Sequence, residues 1–467
     1  MKYRIVHSQD VFDVMRFDSG YHNADANIYD GVIKKHSSHN LSYYCSEIFT
    51  SGRNKRVYTQ PEFGYPFLSN SDVVSSNPFM SCKYSSKKYG YNESAVLKSG
   101  MIVTGRVGAI GQTAFIPSYF EKAKAMGSDN IIRIVVKPQY KNGYIYTYLA
   151  SKIGNLSFWK YATGGVQPFI TDSMVGMLPI PDLCDNFQNK INDLVLESAR
   201  LREEATDMLL EAEGLLKESA NLRDLTPEDY DYFGPRSASR EASCFIRNRK
   251  DITPTTINAF NLSERIRKTK ESMTCSTKPL REVLLNGDTF STGSFPRVEV
   301  KEGYGIMLIN QKDIFDTVIK GKYISKRGVK TDNMVEYGEV LIAGVGTLGE
   351  NETFCRAIFA NEDLVGQLVS GEFIRMKVNK EIPSGYLYAW LSSDYGFRLL
   401  RNIQAGTKLC RPIPKLVLDI PIPVIPPNVM IKIDKLVKEA HTKRYEANEN
   451  ERKAIRMVEQ EIEKWNK

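Results

Sequence analysis

Two long segments of the chain place apolar or small residues at alternating spacings of three and four, with charged residues between them. In the first segment these positions run from Ile191 to Leu222, and the aliphatic members are Ile191, Leu194, Leu201, Met208 and Leu215. In the second segment, after Pro427, the apolar points are Ile433, Leu436, Ile455, Val458 and Ile462, and the seam slips in the strongly polar middle over residues 442–452. A stripe this narrow is typical of a coiled-coil seam, whereas a helix on its own domain has a wider apolar face. The pattern predicts two long helices, 186–222 and 428–467, that pair as an antiparallel coiled coil.

Ahead of each long helix the pattern changes to short strands and apolar helices. Residues 130–137 and 372–378 are rich in β-branched residues and predict strands, while residues 144–159 and 386–400 predict helices. We therefore expect a mixed α/β fold with one globular domain over residues 1–185 and a second within residues 223–427. The second range begins with a linker, in which residues 234–240 carry turn-forming Gly, Pro and Ser.

The two predicted domains share blocks of sequence. Residues 100–111 return as residues 338–349, a shift of 238, and the glycines at both ends of the block are kept. Gly143-Tyr-Ile-Tyr returns as Gly385-Tyr-Leu-Tyr, and Leu178-Pro-Ile-Pro181 returns as Ile420-Pro-Ile-Pro423, both shifted by 242. A period this long far exceeds a solenoid unit of roughly 20 to 50 residues, so each copy is expected to be a domain. The sequence predicts a tandem repeat with pseudo-twofold symmetry, each copy followed by its long helix.

Charge and composition give only modest information about the partner and the location of this protein. The 467 residues include 63 Lys and Arg against 55 Asp and Glu, a net charge of +8, which favours an anionic partner. The seven cysteines have no metal-site spacing and are expected to be reduced thiols. The first residues have no apolar signal segment, and no stretch approaches 18 apolar residues. We expect a cytoplasmic protein without membrane contact.

Motifs of familiar enzymes are incomplete in this sequence. Gly344-Val-Gly-Thr-Leu-Gly349 matches a dinucleotide-binding pattern, but no helix is predicted after it, and the sister copy has Arg106 at the first glycine. These glycines are expected to serve hairpin turns with positive φ. Asn77-Pro-Phe-Met80 lacks the second proline of the methyltransferase motif that it approaches. We predict no catalytic residue, metal or cofactor on this chain.

A basic motif occurs once in each copy. Lys83-Tyr-Ser-Ser-Lys-Lys88 and Lys322-Tyr-Ile-Ser-Lys-Arg327 are separated by 239 residues. One such cluster is usually a solvated loop, but its recurrence favours contacts to DNA phosphates, which position a protein without reading bases. Arg and Lys in the unlike regions are candidates for base contacts. The predicted DNA-binding residues are Arg53, Lys55, Arg56, Lys83, Tyr84, Lys87, Lys88, Arg106, Lys322, Tyr323, Lys326, Arg327 and Lys330.

The order of these blocks resembles the specificity subunit of type I restriction-modification systems. In both copies a glycine-containing β block is followed by Gly-Tyr-x-Tyr, a late glycine at Gly164 or Gly406, Pro-Ile-Pro and a long helix. Gln188-Asn-Lys-Ile191 also matches the Gln-x-x-Ile of that family, whereas the second copy has Met430-Ile-Lys-Ile433, so its docking surface is expected to differ. The resemblance covers nearly the whole chain and rests on the order of its motifs.

The resemblance implies two target recognition domains that read the halves of a split duplex site, held apart by the two helices. Adenine methyltransferase subunits would dock on the helices, and a translocating endonuclease subunit would join them in a prokaryotic cytoplasm. The chain itself would not be a catalyst, and S-adenosylmethionine, Mg²⁺ and ATP would bind only to the partners. The target bases, the spacer, the stoichiometry and the choice between restriction and methylation alone stay open.

Two other classes of protein stay open on the residues alone. One is a stand-alone DNA methyltransferase or nuclease with an unrecognised active site, which would bind its own cofactor. The other is a scaffold without nucleic acid, which would show no salt-sensitive DNA binding.

Overall fold

The computed structural model describes residues 5–22, 24–36, 38–53, 55–230, 244–252 and 255–465. The chain forms two compact units, one of residues 1–203 with 446–467 and one of residues 204–445. The predicted linker turns at residues 234–240 lie outside the described residues. No helix among the described residues is long and apolar enough to span a membrane.

The first unit contains short helices around three small sheets. Its helices are α1 Ser8–Val14, α2 Ser19–His22, α3 Ala26–Lys35, α4 Leu41–Tyr44, α5 Asn70–Val73, α6 Ser118–Lys122, α7 Asn142–Ala150, α8 Lys152–Tyr161 and α9 Asp172–Gly176. Its strands are β1 Ser38–Asn40, β2 Cys45–Phe49, β3 Gly64–Leu68, β4 Lys83–Ser86, β5 Ile102–Gly105, β6 Thr113–Phe115, β7 Met126–Gly127, β8 Ile131–Val136 and β9 Pro179–Pro181. The sheets have the strand orders β2-β8-β5-β6, β4-β3-β7 and β1-β9.

The second unit repeats much of this arrangement. The long helix α10, Asp185–Ser219, begins in the first unit and ends in the second, whereas α17, Pro427–Lys464, begins in the second unit and ends in the first. The other helices are α11 Pro227–Tyr230, α12 Glu264–Glu271, α13 Leu280–Val283, α14 Ser384–Ser392, α15 Asp394–Asn402 and α16 Pro414–Val417. The strands are β10 Thr277–Pro279, β11 Ile306–Ile309, β12 Lys322–Ile324, β13 Val340–Ala343, β14 Ala357–Phe359, β15 Leu368–Val369, β16 Phe373–Met376, β17 Gln404–Ala405, β18 Arg411–Pro412 and β19 Pro421–Pro423. They form sheets β12-β11-β15, β14-β13-β16, β10-β19 and β17-β18. The predicted mixed α/β fold with long helices is confirmed.

The single helices predicted over residues 144–159 and 386–400 are wrong, because each is broken once. Ser151 ends α7, and its hydroxyl accepts a hydrogen bond from the Gly154 amide at 3.1 Å. Ser393 separates α14 from α15 and accepts from the Gly396 amide at 3.2 Å. A serine that caps the next helix competes with continuation of the first one, which the apolar periodicity does not reveal.

The glycine blocks differ between the copies. Gly108 and Gly111 have φ of +74° and +76°, as expected for turns. Gly344 and Gly346 do not have positive φ, so that expectation is wrong for the second copy. Instead, a Cβ at Gly344 would lie 2.5 Å from the carbonyl oxygen of Glu372, and only glycine permits this close strand packing. Strand β14 rather than a helix follows this block, which argues against a dinucleotide site.

The repeated Gly-Tyr-x-Tyr and Pro-Ile-Pro motifs attach each globular copy to its long helix. The Tyr144 hydroxyl donates to the Pro181 carbonyl at 2.6 Å, and the Gly143 amide donates to Asn192 Oδ1 in α10 at 3.0 Å. In the second unit the Gly385 amide donates to Asp434 Oδ1 in α17 at 2.8 Å, as Tyr386 donates to Pro423. The repeated motifs are therefore structural joints.

Replacement of the joint glycines by alanine is expected to loosen this attachment. A Cβ at Gly143 would lie 3.0 Å from Asn192 Cα, and one at Gly385 would lie 2.9 Å from Asp434 Cα, both within rigid helix backbone. Each variant should lose about 1–3 kcal/mol of stability by overpacking. Gly214→Ala is the control, because no atom lies within 4 Å of its Cβ, and it should gain roughly 0.5–1 kcal/mol. Chemical denaturation checks this. Equal stabilities of the three variants would contradict the role of Gly143 and Gly385 in attaching each globular copy to its long helix.

Within each unit, segments of the two long helices contact each other. In the first unit the Ser198 hydroxyl donates to the Ala447 carbonyl at 2.9 Å. In the second unit Glu204 pairs with Lys443 and Glu211 pairs with Lys432, each at 3.0 Å. The residue numbers rise along α10 while they fall along α17, so these segments run antiparallel. Regular coiled-coil packing over the whole length stays a prediction.

Candidate nucleic-acid interface

The first basic motif lies on the edge of a three-stranded sheet. Strand β4 pairs antiparallel with β3, so that Lys83 lies opposite Phe67, and β3 pairs parallel with β7. On the other side of β4, the Ser86 amide donates to the Val57 carbonyl at 2.8 Å, and the Thr59 amide donates to the Tyr84 carbonyl at 3.0 Å. The motif begins as a strand, which corrects the prediction of a loop throughout.

A tight turn after β4 presents the remaining basic residues. The Gly90 amide donates to the Ser86 carbonyl at 2.9 Å, and a Cβ at Gly90 would lie 2.2 Å from the Ser85 hydroxyl oxygen. Lys87 is anchored because its backbone amide donates to the Phe63 carbonyl at 3.0 Å and its Nζ to the Glu62 carbonyl at 2.9 Å. Lys83, Lys87 and Lys88 are all exposed. The glycine and the buried serines thus hold three cations at the surface.

Aromatic rings lie between these cations, and the sequence prediction did not include them. The ammonium groups of Lys83 and Lys88 lie 4.8 Å and 5.2 Å from the ring centres of Tyr58 and Tyr89. Phe63 is 66% exposed beside them. An open cavity of about 440 Å³ is lined by Tyr58, Phe63 and Tyr89 with Lys87 and Lys88, and Glu62 also lines it. Cations next to exposed aromatic rings suit phosphates and base faces at once. Tyr89 adjoins the motif in the sequence and could have been found there, whereas Tyr58 and Phe63 lie 20 or more residues before Lys83.

The other basic residues predicted in the first copy are distributed differently. Arg53, Lys55 and Arg56 are exposed and lead directly into residues 57–59 beside β4, and Arg56 also pairs with Asp129 at 2.9 Å. Arg106 is half-buried in the connection between β5 and β6, on the four-stranded sheet. The structure therefore brings Lys55 and Arg56 to the basic strand, whereas Arg106 belongs to another part of the unit.

The second basic motif has the same backbone setting. Strand β12 pairs antiparallel with β11, and β11 pairs parallel with β15. The Ser325 amide donates to the Val298 carbonyl at 2.8 Å, and the Val300 amide donates to the Tyr323 carbonyl at 2.9 Å. The exposed cations of this copy are Lys322, Lys326, Arg327 and Lys330.

Carboxylates replace aromatic rings beside the second motif. Lys322 pairs with Glu299 at 2.5 Å, with side chains 63% and 61% exposed, and the Tyr323 hydroxyl donates to Glu302 at 3.3 Å. Glu299 and Glu302 were absent from the sequence prediction, which named only Arg, Lys and Tyr residues. The two faces have the same frame and different chemistry.

The motif tyrosines act as neutral hydrogen-bonding groups. Burial raises the pKa of Tyr84 to about 12, with nearby Cys82 contributing in the same direction. Burial also raises the pKa of Tyr323, and the Glu302 carboxylate adds to this effect. Both hydroxyls therefore keep their protons near neutral pH and do not repel a phosphate.

The residues predicted to pair the helices are buried to different degrees. Ile191, Leu201, Ile433, Val458 and Ile462 are buried, whereas the partly buried ones are Leu194, Met208, Leu215, Leu436 and Ile455. Residues next to several of these, including Val195, Leu216 and Val437, are buried instead. The buried line of α10 is thus displaced by one residue at Leu194 and Leu215, whereas Ile191 and Leu201 keep their predicted places.

Arg202 forms a buried ion pair within the first unit. Its guanidinium donates to both carboxylate oxygens of Glu451 in α17, at 2.6 Å and 3.0 Å, and to Asn448 Oδ1 at 3.0 Å. The side chains of Arg202 and Glu451 are only 18% and 8% exposed. Burial alone would lower the pKa of Arg202, but the Glu451 carboxylate raises it overall, so the guanidinium stays charged. A charged group is thus fixed in an otherwise small and apolar seam.

The described part of the chain holds no cluster of three or more His, Cys, Asp or Glu side chains that could bind a metal ion. Burial raises the pKa of Cys45 and Cys82 to about 12, so these thiols are inert at neutral pH.

No family model and no curated protein matches the chain. Similar solved structures include a type I restriction-modification S subunit from M. genitalium, with 12% identity and a TM-score of 0.36, covering 92% of this chain and 95% of that one. The HsdS subunit from Thermoanaerobacter tengcongensis has 14% identity and a TM-score of 0.26, with coverages of 92% and 96%. A chain from a structure of type I R-M complex assembly has 14% identity and a TM-score of 0.28, with coverages of 92% and 97%. The first two of these neighbours carry the name of the subunit that the residues resemble.

Proposed function

We propose that the chain is a non-catalytic, sequence-specific DNA-binding subunit that recognises a bipartite duplex target. It would direct adenine methyltransferase subunits, and a restriction subunit where one is present, to that target. One observation carries this proposal. Each unit has its own three-stranded sheet with a basic strand at the equivalent edge, and the two basic strands have equivalent flanking hydrogen bonds. One copy could be a solvated surface, but a rigid backbone frame that presents cations twice supports two contacts to one polyanion.

Each face offers what a duplex backbone requires. Phosphate contacts come from Lys, Arg and hydroxyl groups, and they position a protein on DNA before bases are read. Lys87 and Lys88 project from a turn fixed by Gly90, and Lys326 and Arg327 follow β12 in the second unit. We propose that each unit binds one half-site and that the unlike residues around the shared frame read its bases.

The long helices are the proposed docking surface for the methyltransferase. Both helices carry exposed aliphatic side chains in addition to those in the seam. Leu196 and Leu210 in α10 are 45% and 61% exposed, and Ile431 in α17 is 64% exposed. S-adenosylmethionine, Mg²⁺ and ATP are proposed to bind to partner subunits, in a prokaryotic cytoplasm.

Binding to duplex DNA at several salt concentrations tests this function with the purified chain. If roughly six phosphates are neutralised across the two faces, log affinity should fall with log salt at a slope of about −5. Fluorescence anisotropy of a labelled duplex measures this slope. Affinity that does not change with salt would favour a scaffold without nucleic acid.

Titration of the isolated chain with S-adenosylmethionine separates the enzyme alternative. We expect no heat of binding, since the proposal places this cofactor on a partner. Saturable binding by the chain alone would favour a methyltransferase with an unrecognised active site and would contradict the proposed role.

A further inference from the structure

Tyr58 and Glu299 occupy equivalent positions in the two copies. Tyr58 forms an antiparallel bridge with Ser85, and Glu299 forms one with Ile324. Ser85 and Ile324 each follow two residues after the first lysine of their motif. The hydrogen bonds from residues 57 and 59 to β4 recur from residues 298 and 300 to β12. The backbone therefore places a phenol ring in one copy where the other copy has a carboxylate.

The exchange changes what the first lysine of each motif contacts. Lys83 lies over the ring of Tyr58, whereas its counterpart Lys322 pairs with the Glu299 carboxylate. Glu302 adds a second carboxylate, hydrogen-bonded to Tyr323. The surrounding surface stays basic, with Lys301, Lys326, Arg327 and Lys330 all exposed. Carboxylates on such a face still meet a polyanion, because the neighbouring cations attract it.

A carboxylate at a DNA surface can make only one kind of favourable direct contact. It has acceptors and no donor when ionised, and phosphates repel it. In the major groove the donors are the exocyclic amino groups, N4 of cytosine and N6 of adenine. A carboxylate therefore favours sequences that place an amino group opposite it and disfavours the others. A phenol stacked against a lysine imposes no such requirement.

We propose that Glu299, held by Lys322, reads an exocyclic amino group of cytosine or adenine in the half-site bound by the second unit. This inference rests on the proposed function, and it assigns a base-reading role to one residue of the second face. Tyr58 and its lysines serve the first unit as a contact to the backbone. The two copies thus use one frame for two kinds of recognition.

Selection of bound duplexes from a pool with randomised positions tests the inference on the full chain. Glu299→Ala should reduce the preference for cytosine or adenine at one position of one half-site by about tenfold, the effect of losing one good base contact, because it removes the acceptor that Gln would keep. The preferred bases in the other half-site should stay the same. The sequenced pool also shows which of the two amino-bearing bases is read.

Glu381→Ala is the matched control, since Glu381 is also an exposed partner of a lysine in the same unit, Lys278, at 2.9 Å. It should leave the selected site unchanged. If Glu299 only neutralises Lys322, Glu299→Ala would tighten binding to all sequences alike without changing any preference, and the inference would be overturned while the proposed function stands. If the wild-type chain selects no sequence, both fall together.

Discussion

Simultaneous replacement of Lys87, Lys88, Lys326 and Arg327 by glutamine is expected to weaken DNA binding on the order of a thousandfold at about 0.1 M salt. These four exposed cations follow the edge strands of the two basic faces and are proposed to contact phosphates. Each lost contact should reduce the slope of log affinity against log salt by about 0.9, so the slope should change by roughly 3.6. Sequence preference should persist, because phosphate contacts carry no base information.

The control for this variant removes the same charge from other exposed positions. Lys34, Lys35, Lys380 and Lys435 are exposed and lie outside the basic faces. Their replacement by glutamine changes the net charge equally and should change affinity far less. Equal losses in both variants would mean that net charge, and not these two faces, determines binding. Unchanged affinity in the first variant would show that these four residues do not contact DNA.

Glu451→Ala is expected to destabilise the helix seam of the first unit by about 3–5 kcal/mol, because it leaves the Arg202 charge buried without its carboxylate. Burial and the Glu451 carboxylate together also raise the pKa of Tyr146, so the protonation of this phenol is linked to the same ion pair. Hydrogen exchange of the amides in residues 191–202 is the suitable measurement, since a chain of two units need not unfold in one step. The free energy of the local opening that exposes these amides should fall by the same amount, about 3–5 kcal/mol.

Two further variants separate the ion pair from general effects on α17. Glu449→Ala removes a carboxylate that is 40% exposed and pairs only within its own helix with Arg452 and Arg456, so it should change stability by about 0–1 kcal/mol. The double variant Arg202→Met, Glu451→Leu should recover most of the protection, because an apolar pair of similar volume avoids the desolvation of two charges. A loss in Glu451→Ala no larger than that in Glu449→Ala would contradict the importance of the pair.

The periodic parts of the fold could be predicted from the sequence because periodicity follows directly from burial. The seam residues from Ile191 onward predict a helix over 186–222, and the observed helix is Asp185–Ser219. The breaks at Ser151 and Ser393 could not be predicted in this way, since a capping serine leaves the apolar pattern intact. The buried ion pair of Arg202 could not be predicted either, because a charged residue is expected on the outer face of a helix unless its partner is known.

The candidate interface could be predicted only in the parts that the two copies share. The lysines of the motif recur and were found by comparing the copies. Tyr58 and Glu299 differ in kind, and each is brought to its lysine by an isolated bridge from a segment more than 20 residues away in the chain. Comparison of copies detects the common frame, but the residues that distinguish the two half-sites are the ones that do not repeat.

The central claim is that the chain directs adenine methylation to a split DNA sequence. Genome-wide mapping of modified adenines, in cells with and without this gene and with its partner methyltransferase present in both, tests it most directly. The account predicts modified adenines within one bipartite motif when the gene is present and loss of that motif when the gene is deleted. An adenine pattern that is the same in both cells would contradict it.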